Sequence, residues 1–255
     1  MLGPWRCTGD TNKELVENLA KSGIITKERV YRAMLATDRA FYAPAAPYAD
    51  TPQPIGYHQT ISGTPFTTSA TQPYTSSSST TPPLFPFAAP HMHAQAGEVI
   101  DDVVPPTNGK VLDVGSGSGY LAAVFARMCG DTGRVWGVEV VDSLVQLSKE
   151  NVSKDDSKLL SSGRVQLLTR DGWNGLPEEA PFDAIHVGAA AREVPLKLVE
   201  QLRVGGRLFV PVGPEGGPQY LMQIDKTSDE GPVEKSFTSK ELMGVIYVPL
   251  VETGR

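Results

Sequence analysis

The sequence has few cysteines and no long apolar runs, and these shortages exclude several classes of protein. Only two cysteines, Cys7 and Cys129, occur among 255 residues, which is too few for a disulfide framework, and neither has metal-ligand spacing. We therefore expect two reduced thiols in an intracellular protein. No apolar run approaches the roughly 18 residues that a membrane span needs. The first residues also lack the basic start and apolar middle of a signal peptide, so we expect a cytoplasmic location and no membrane partner.

Basic charge is in short supply as well. The net charge is −6 and the isoelectric point is near 5.3. Because nucleic-acid binding relies on Lys/Arg surfaces that neutralise phosphates, we expect no nucleic-acid partner. The apolar share of 40% is enough for a core of ordinary size, and the length suits one domain spanning residues 1–255.

Two patterns divide the chain. Residues 10–39 predict two helices, the first with the capping-box spacing of Thr11 and Glu14, and a proline-rich loop follows; together they form a helical N-terminal extension, residues 1–59. The segment HMHAQAGEVIDDVV predicts a helix that stops before Pro105. Residues 108–255 then alternate between strands and helices, which indicates an α/β fold with a mostly parallel central sheet.

The predicted elements of this second part can be named. One helix has Asp142 as its expected N-cap, and EVPLKLVEQLRVGG is another helix candidate. We expect the last strand to enter antiparallel at one edge, because no helix precedes it. The strand candidates are KVLDVGS, RVWGVEVV, RVQLLTRDG, FDAIHVGA, GRLFVPVG, QYLMQIDK and LMGVIYVPL.

A glycine-rich turn follows the first of these strands in LDVGSGSGYL. Gly115, Gly117 and Gly119 allow a tight turn and a close ligand approach. Their G-x-G-x-G spacing does not meet the G-x-G-x-x-G fingerprint of dinucleotide pyrophosphate binding. Asp113, two residues earlier, would repel a pyrophosphate but suits the ammonium group of a cofactor that carries an amino acid.

Two further carboxylates end the next two strands. Glu139 is placed to accept hydrogen bonds from both hydroxyls of a ribose. Asp171 could accept from the amino group of adenine, with Gly172 leaving room for the ring. Either residue alone could be a solvent-facing acid, but ammonium, ribose and adenine together describe S-adenosylmethionine.

These motifs, with several others, resemble the protein-L-isoaspartate (D-aspartate) O-methyltransferase family of protein-repair enzymes. The resemblance covers nearly the whole chain and is carried by PQPIGYHQTIS, APHMHA, VLDVGSGSGYL, KDDSKLLSSGRVQLLTRDG, APFDAIHVGAAAREVP, QLRVGGRLFVPVGPEGGPQ and LMGVIYVPL. It implies a Rossmann-like S-adenosylmethionine-dependent methyltransferase fold. It also implies methyl transfer to the α-carboxylate of isoaspartyl residues in damaged proteins and peptides, with S-adenosylhomocysteine as the cofactor product.

The same resemblance implies the site residues. It places the substrate cleft near residues 187–191 and near Gln219, and it makes Ser62 the active-site serine. The implied cofactor-binding residues are Gln59, Thr60, Ile61, Ser62, His93, Asp113, Gly115, Ser116, Gly117, Gly119, Glu139, Val140, Asp171 and Gly172.

Few polar side chains are needed for this chemistry. A carboxylate with a pKa of about 4 is already ionised at neutral pH and needs no general base. We therefore interpret Ser62 as a hydrogen-bonding positioner and not as a nucleophile, since no His–Asp pair is placed to activate it. From the residues alone a turn residue is the favoured interpretation of Ser62, and the resemblance reverses that preference. His91 and His93 form an H-x-H pair, but without a third ligand at suitable spacing we expect no metal site.

An uncharged segment separates two of the family's motifs. The family runs from TIS almost directly into APHMHA, whereas here residues 63–88 add 26 residues, 17 of them Ser, Thr or Pro. Such a run has too little apolar surface to fold, so we expect a disordered loop. It is either a lineage-specific loop or translated non-coding sequence, and the protein sequence leaves both open.

The sequence therefore leaves three candidate functions. The first is the protein-carboxyl methyltransferase. The second is a nucleotide-dependent oxidoreductase, which the glycine spacing and Asp113 disfavour. The third is a homologue that binds the cofactor but is catalytically impaired by the 63–88 insert. We expect a monomer, since the sequence shows no heptad pattern.

Overall fold

The protein is described from a computed structural model that covers residues 7–43, 45–52 and 89–252. Gln59, Thr60, Ile61 and Ser62 lie outside the described residues, as does the 63–88 insert. The predictions for these positions therefore stay predictions.

The N-terminal part is helical, as the sequence predicts. Helix α1 spans Asn12–Lys21 and α2 spans Glu28–Leu35, and a single turn of 3₁₀ helix covers Arg39–Phe41. Thr11 caps α1, because its hydroxyl accepts a hydrogen bond from the Glu14 amide at 3.2 Å. Helix α3 spans Pro90–Ile100 and starts at a proline, which fits the first helical position because the missing N–H has no helical partner there.

A seven-stranded sheet forms the centre of the fold. Its strand order is β3-β2-β1-β4-β5-β6-β7. Neighbours from β3 to β5 pair in parallel, while β6 pairs antiparallel with both β5 and β7. The predicted mostly parallel sheet with an antiparallel edge is thus confirmed. The strands are β1 (Lys110–Val114), β2 (Arg134–Glu139), β3 (Val165–Thr169), β4 (Phe182–Val187), β5 (Leu202–Val212), β6 (Gln219–Lys226) and β7 (Phe237–Val245).

Helices cover both faces of the sheet. Helix α4 spans Tyr120–Met128, α5 spans Asp142–Ser161 and α6 spans Leu196–Glu200. Alternate residues of β1 enter different cores: Val111 packs with α1–α5, while Leu112 packs with Trp136 and α6. No helix in the described ranges combines the length and apolarity of a membrane-crossing segment.

Three local predictions differ from the structure. Asp142 is the first residue of α5 and not its N-cap, which is Val141; the Asp142 carboxylate instead accepts from the Thr169 hydroxyl at 2.7 Å. Helix α6 is only five residues long, and the segment predicted as its end, residues 202–206, already belongs to β5. The last strand ends at Val245, so the apolar residues 246–250 lie outside the sheet.

Candidate active site

The glycine-rich turn lies at the carboxyl end of β1 and leads into α4. All three glycines have positive φ angles: 74° at Gly115, 50° at Gly117 and 84° at Gly119. The turn is anchored on the neighbouring strand, because the amides of Gly115 and Ser116 both donate to the Val138 carbonyl, at 2.8 and 3.1 Å. A Cβ atom at Gly119 would lie 3.1 Å from Ser148 Cβ of α5, so the turn needs glycine there for both backbone angle and packing.

Asp113 is buried one residue before the end of β1, with 1% of its surface exposed. Its Oδ1 accepts a hydrogen bond from His186 Nδ1 at 2.7 Å, and His186 is its register partner on β4. His186 is itself held between the rings of Phe125 and Phe209. The other carboxylate oxygen, Oδ2, is buried and finds no hydrogen-bond partner among the described residues. An orphaned buried carboxylate oxygen is costly, and it marks a place where a ligand donor fits.

Glu139 ends β2 directly across the turn. Its Oε1 accepts from the amides of Val140 at 2.8 Å and Val141 at 3.3 Å, and its Oε2 accepts from Gly117 at 3.3 Å. Burial raises the pKa of Glu139 above its ordinary value, and the three backbone donors oppose that rise. A carboxylate has about four acceptor positions, so one remains for a ligand hydroxyl, and a second requires displacement of one of the two longer contacts.

Asp171 and Gly172 follow β3. Asp171 Oδ1 accepts from the Trp173 amide at 3.0 Å and caps the single 3₁₀ turn Gly172–Asn174. Gly172 is buried, and a Cβ atom there would lie 2.6 Å from Val114 Cγ1 and 3.2 Å from Leu250 Cδ1. The Arg170 amide donates to the Glu139 carbonyl, which holds this loop beside the end of β2. The three predicted carboxylates are therefore placed along one edge of the sheet.

The two histidines of α3 face different partners. His91 Nδ1 is 2.8 Å from Asp50 Oδ1, whereas His93 Nδ1 is 2.9 Å from a guanidinium nitrogen of Arg39. His93 is 9% exposed and its ring packs against Tyr120, with 5.0 Å between ring centroids. Within the described ranges, no group of three metal-ligating side chains comes together.

The segment after β7 forms a wall beside this edge of the sheet, and we call residues 246–250 the C-terminal wall. It pairs with the loop after β4, since Ala190 N donates to the Val248 carbonyl at 2.7 Å and Leu250 N donates to the Ala190 carbonyl at 2.8 Å. Trp173 Nε1 donates to the Leu250 carbonyl at 2.9 Å.

The side chain of Gln219 is hydrogen-bonded to the backbone of the C-terminal wall. Its side-chain oxygen accepts from Tyr247 N, and its side-chain nitrogen donates to Tyr247 O at 3.1 Å. The Gln219 amide is therefore engaged with this backbone, and its part in the predicted cleft is to hold the wall.

Sequence reasoning missed two residues of this site. His186 belongs to the apolar strand candidate FDAIHVGA, in which nothing marks it as a site residue, and parallel pairing of β1 with β4 places it opposite Asp113. Knowing which strands are adjacent would have revealed this pair. Arg39 lies in a polar N-terminal segment, and no sequence signal marks it as buried.

These residues fit S-adenosylmethionine. The unpaired Asp113 oxygen suits an ammonium group, and the remaining acceptor capacity of Glu139 suits a ribose hydroxyl. The side-chain position of Gly172 is occupied by Val114 and Leu250, so room for the adenine ring beside it stays a prediction. The glycine turn presents backbone between them without Cβ atoms. None of these groups is arranged as a nucleophile–base pair.

Comparison with known proteins gives a consistent result. The family model described as protein-L-isoaspartate(D-aspartate) O-methyltransferase (PCMT) matches residues 10–78 and 65–255, two stretches that overlap at residues 65–78, inside the 63–88 insert. A protein-L-isoaspartate O-methyltransferase from Caenorhabditis elegans is 41% identical over 246 residues, covering 96% of this chain and 95% of that protein. One from Triticum aestivum is 40% identical over 244 residues, covering 94% and 91%.

A solved structure is also similar. It is a protein-L-isoaspartate O-methyltransferase from Plasmodium falciparum in complex with S-adenosyl-L-homocysteine, 31% identical, with a TM-score of 0.76. The similarity covers 95% of this chain and 99% of that one.

Proposed function

Because the chain belongs to the protein-L-isoaspartate (D-aspartate) O-methyltransferase family, we propose that it methylates the α-carboxylate of L-isoaspartyl residues in damaged proteins and peptides. S-adenosylmethionine supplies an activated sulfonium methyl group when bound. The observation that carries the proposal is the buried, unpaired Oδ2 of Asp113 beside the glycine turn, since it needs a cationic donor that the described residues do not provide.

The chain's own residues bind and orient, and they move no proton. Asp113 holds the ammonium group, with its own position fixed by His186. Glu139 takes a ribose hydroxyl, and the loop at Asp171 and Gly172 takes the adenine. The isoaspartyl carboxylate is ionised at neutral pH, so the remaining work is to bring it in line with the methyl group, at about 3–3.5 Å, with water excluded.

Ser62 and the neighbouring residues 59–61 complete the proposal. We assign Ser62 as a positioner of the substrate carboxylate or the cofactor, and Gln59, Thr60 and Ile61 as cofactor contacts, on the family resemblance. The wall formed by residues 246–250 and the loop at 187–191 flank the cleft that receives the substrate. We also propose a single domain and a monomer. The cytoplasmic location that we propose is supported by the free, buried thiols of Cys7 and Cys129, which suit a reducing compartment.

The 63–88 insert gives a second candidate function. In the sequence it separates Ser62 from His93, and the family model matches the chain in two stretches that overlap inside it. A displacement of Ser62 by about 1 Å could cost on the order of 100-fold in rate. A cofactor-binding but catalytically impaired homologue is therefore the alternative.

The deciding experiment measures transfer of labelled methyl from S-adenosylmethionine to an isoaspartyl peptide, read as a base-labile ester. The matched aspartyl peptide is the control substrate, and the full chain is compared with a variant that lacks residues 63–88. We expect ester formation on the isoaspartyl peptide only, in both proteins.

The other outcomes separate the alternatives. Activity only in the shortened variant would establish the impaired homologue. Inactivity in both, with S-adenosylhomocysteine still bound, would overturn the substrate assignment. Binding of NAD(P)H in place of S-adenosylhomocysteine would overturn the cofactor assignment as well.

A further inference from the structure

Arg39 is a buried cation that the assigned chemistry does not use. Only 2% of its surface is exposed, and no carboxylate of the described residues lies within ion-pair distance of its guanidinium group. Its Nε is buried and finds no hydrogen-bond partner in the described part of the chain. Burying a charge without a paired carboxylate costs stability, so packing alone does not explain an arginine here.

Two aromatic groups receive this guanidinium group. Its carbon lies 5.2 Å from the centroid of the Tyr120 ring, which gives a cation–π contact. One terminal nitrogen lies 2.9 Å from His93 Nδ1. His93 and Tyr120 also pack against each other, so the three side chains form one cluster, which we call the Arg39 cluster.

The local backbone holds Arg39 in this place. Its 3₁₀ turn is capped by Asp38, whose Oδ1 accepts from the Ala40 amide and from the Tyr48 hydroxyl, both at 2.9 Å. Asn12 of α1 donates to the carbonyls of Met34 and Leu35 at the end of α2 and accepts from the Arg39 amide at 3.4 Å. The side chain is therefore presented by an ordered turn.

In the hydrogen bond between Arg39 and His93, only Arg39 can be the donor. A guanidinium group carries only donors and stays protonated in proteins, so His93 Nδ1 must be the acceptor. An imidazole that accepts through Nδ1 carries its single proton on Nε2. The contact thereby selects one of the two neutral tautomers of His93.

We propose that Arg39 is a positioning residue that fixes His93 as the neutral Nε2–H tautomer, so that His93 presents a hydrogen-bond donor to the anionic end of the cofactor. The proposal rests on the proposed function for the identity of that ligand. It deepens that function by giving the cofactor's amino-acid group two complementary contacts: an acceptor, Asp113, for its ammonium, and a donor, His93, for its carboxylate. The charge of Arg39 behind the ring strengthens that donor.

The electrostatics agree with a neutral ring. Burial lowers the pKa of His93 well below its ordinary value, and the nearby Arg39, His186 and His91 lower it further. Tyr120, the other titratable group against the ring, is neutral at physiological pH because burial raises its pKa to about 12. No carboxylate favours protonation of His93 from the elements packed against it in the described ranges.

Nitrogen-15 NMR of the full chain, labelled at histidine and free of cofactor, tests the tautomer directly. The sequence has four histidines, and His93→Gln assigns the resonance. We expect His93 Nε2 in the shift range of a protonated imidazole nitrogen and Nδ1 in that of an unprotonated one. In Arg39→Met the hydrogen bond that holds this tautomer is lost, and we expect the Nδ1–H tautomer to become measurably populated beside it.

Binding of S-adenosylhomocysteine to the same variants, followed by calorimetry, tests the consequence. We expect about tenfold weaker binding in Arg39→Met. Arg39→Lys keeps a donor and a charge, so it restores the tautomer and most of the affinity. Arg32→Met removes an exposed arginine of α2 and leaves both unchanged.

A further variant separates positioning from loss of packing. Arg127→Met removes a partly buried arginine that pairs with Asp155, so it lowers the unfolding temperature without moving the His93 tautomer. If Arg39→Met fails to fold, the proposal is still tested by the tautomer of His93 in the wild-type chain and in Arg39→Lys. A protonated Nδ1 in the wild-type chain, or an unchanged tautomer in Arg39→Met, would overturn the proposal. An inactive enzyme with the expected tautomer would instead count against the proposed function alone.

Discussion

The two sides of the candidate site are built in different ways. On the strand side, Asp113 lies one residue before the end of β1 and Glu139 ends the neighbouring parallel strand β2, so their positions follow from the register of β1 with β2 and β4. On the helical side, Arg39 and His93 belong to a 3₁₀ turn and a helix that are 54 residues apart. A sheet edge places several side chains at once, whereas the helical side depends on how separate elements pack.

This difference bears on the 63–88 insert. In the sequence the insert lies between Arg39 and His93, the two residues of the helical side, and it falls within none of the seven described strands. Loop-closure cost grows only slowly with length, so we expect the fold to tolerate it. Its effect should be confined to the helical side and to Ser62.

The largest effect that we predict comes from a substitution on the strand side, and it concerns cofactor affinity. In Asp113→Asn, the amide nitrogen can take the place of the unpaired Oδ2 and present a donor where an acceptor is needed, so S-adenosylhomocysteine should bind on the order of 100-fold more weakly. Calorimetric titration measures this loss.

Asp183→Asn is the matched control, because Asp183 also lies on the sheet but at the opposite end of β4, where it pairs with Arg203. It should lower stability and leave the affinity unchanged. Wild-type affinity in Asp113→Asn would show that the ammonium assignment is wrong.

An intermediate effect comes from steric crowding at the adenine loop. Gly172→Ala places a Cβ atom 2.6 Å from Val114 Cγ1, so β1 or the loop must shift. We expect a loss of about 1–3 kcal/mol in the free energy of unfolding, measured by urea denaturation.

Gly244→Ala gives the comparison, since a Cβ atom there meets nothing within 4 Å. Equal stability of the two alanine variants would mean that the loop accommodates the added methyl group, and crowding against Val114 would not be what requires glycine at position 172.

The smallest effect concerns pH on the helical side. Because the pKa of His93 is lowered in the folded state, the unfolded chain binds the extra proton first, and stability falls as pH drops below about 6.5. The contribution of one such group is at most about 1.4 kcal/mol per pH unit. Urea unfolding at several pH values should show this slope in the wild-type chain and its absence in His93→Gln.

His91→Gln keeps His93 and should keep its slope. An unchanged slope in His93→Gln would mean that another group causes the acid sensitivity, and the neutral His93 on which the Arg39 cluster depends would lose its support.

The strand side of the site could be predicted from the sequence because strand ends are local features. Asp113, Glu139 and Asp171 each follow a recognisable apolar run, and parallel strands bring such ends to one edge. The pairing of Asp113 with His186 could not be predicted. The two residues are 73 positions apart in the sequence, and only the strand order of the sheet brings β1 beside β4. The Arg39 cluster could not be predicted for the same reason, because its partners meet only through helix packing.

The misplaced boundaries have equally local causes. Asp142 has the composition of an N-cap, but a hydroxyl partner on β3 competes for its carboxylate, so the helix begins one residue earlier. Residues 246–250 are apolar and β-branched like a strand, yet hydrogen bonds to Ala190 and Trp173 draw them away from the sheet. Tertiary partners, and not local preference, decide both cases.

The C-terminal wall is held by elements that lie far from it in the sequence. Its bond between Trp173 and Leu250 joins residues 77 apart, and its support by Gln219 requires that β6 be in place. The wall therefore depends on elements outside itself, the loop after β4 and the start of β6. We expect that loss of the β6 pairing would release the wall and open one flank of the cleft while the glycine turn, which is anchored on β2, keeps its place.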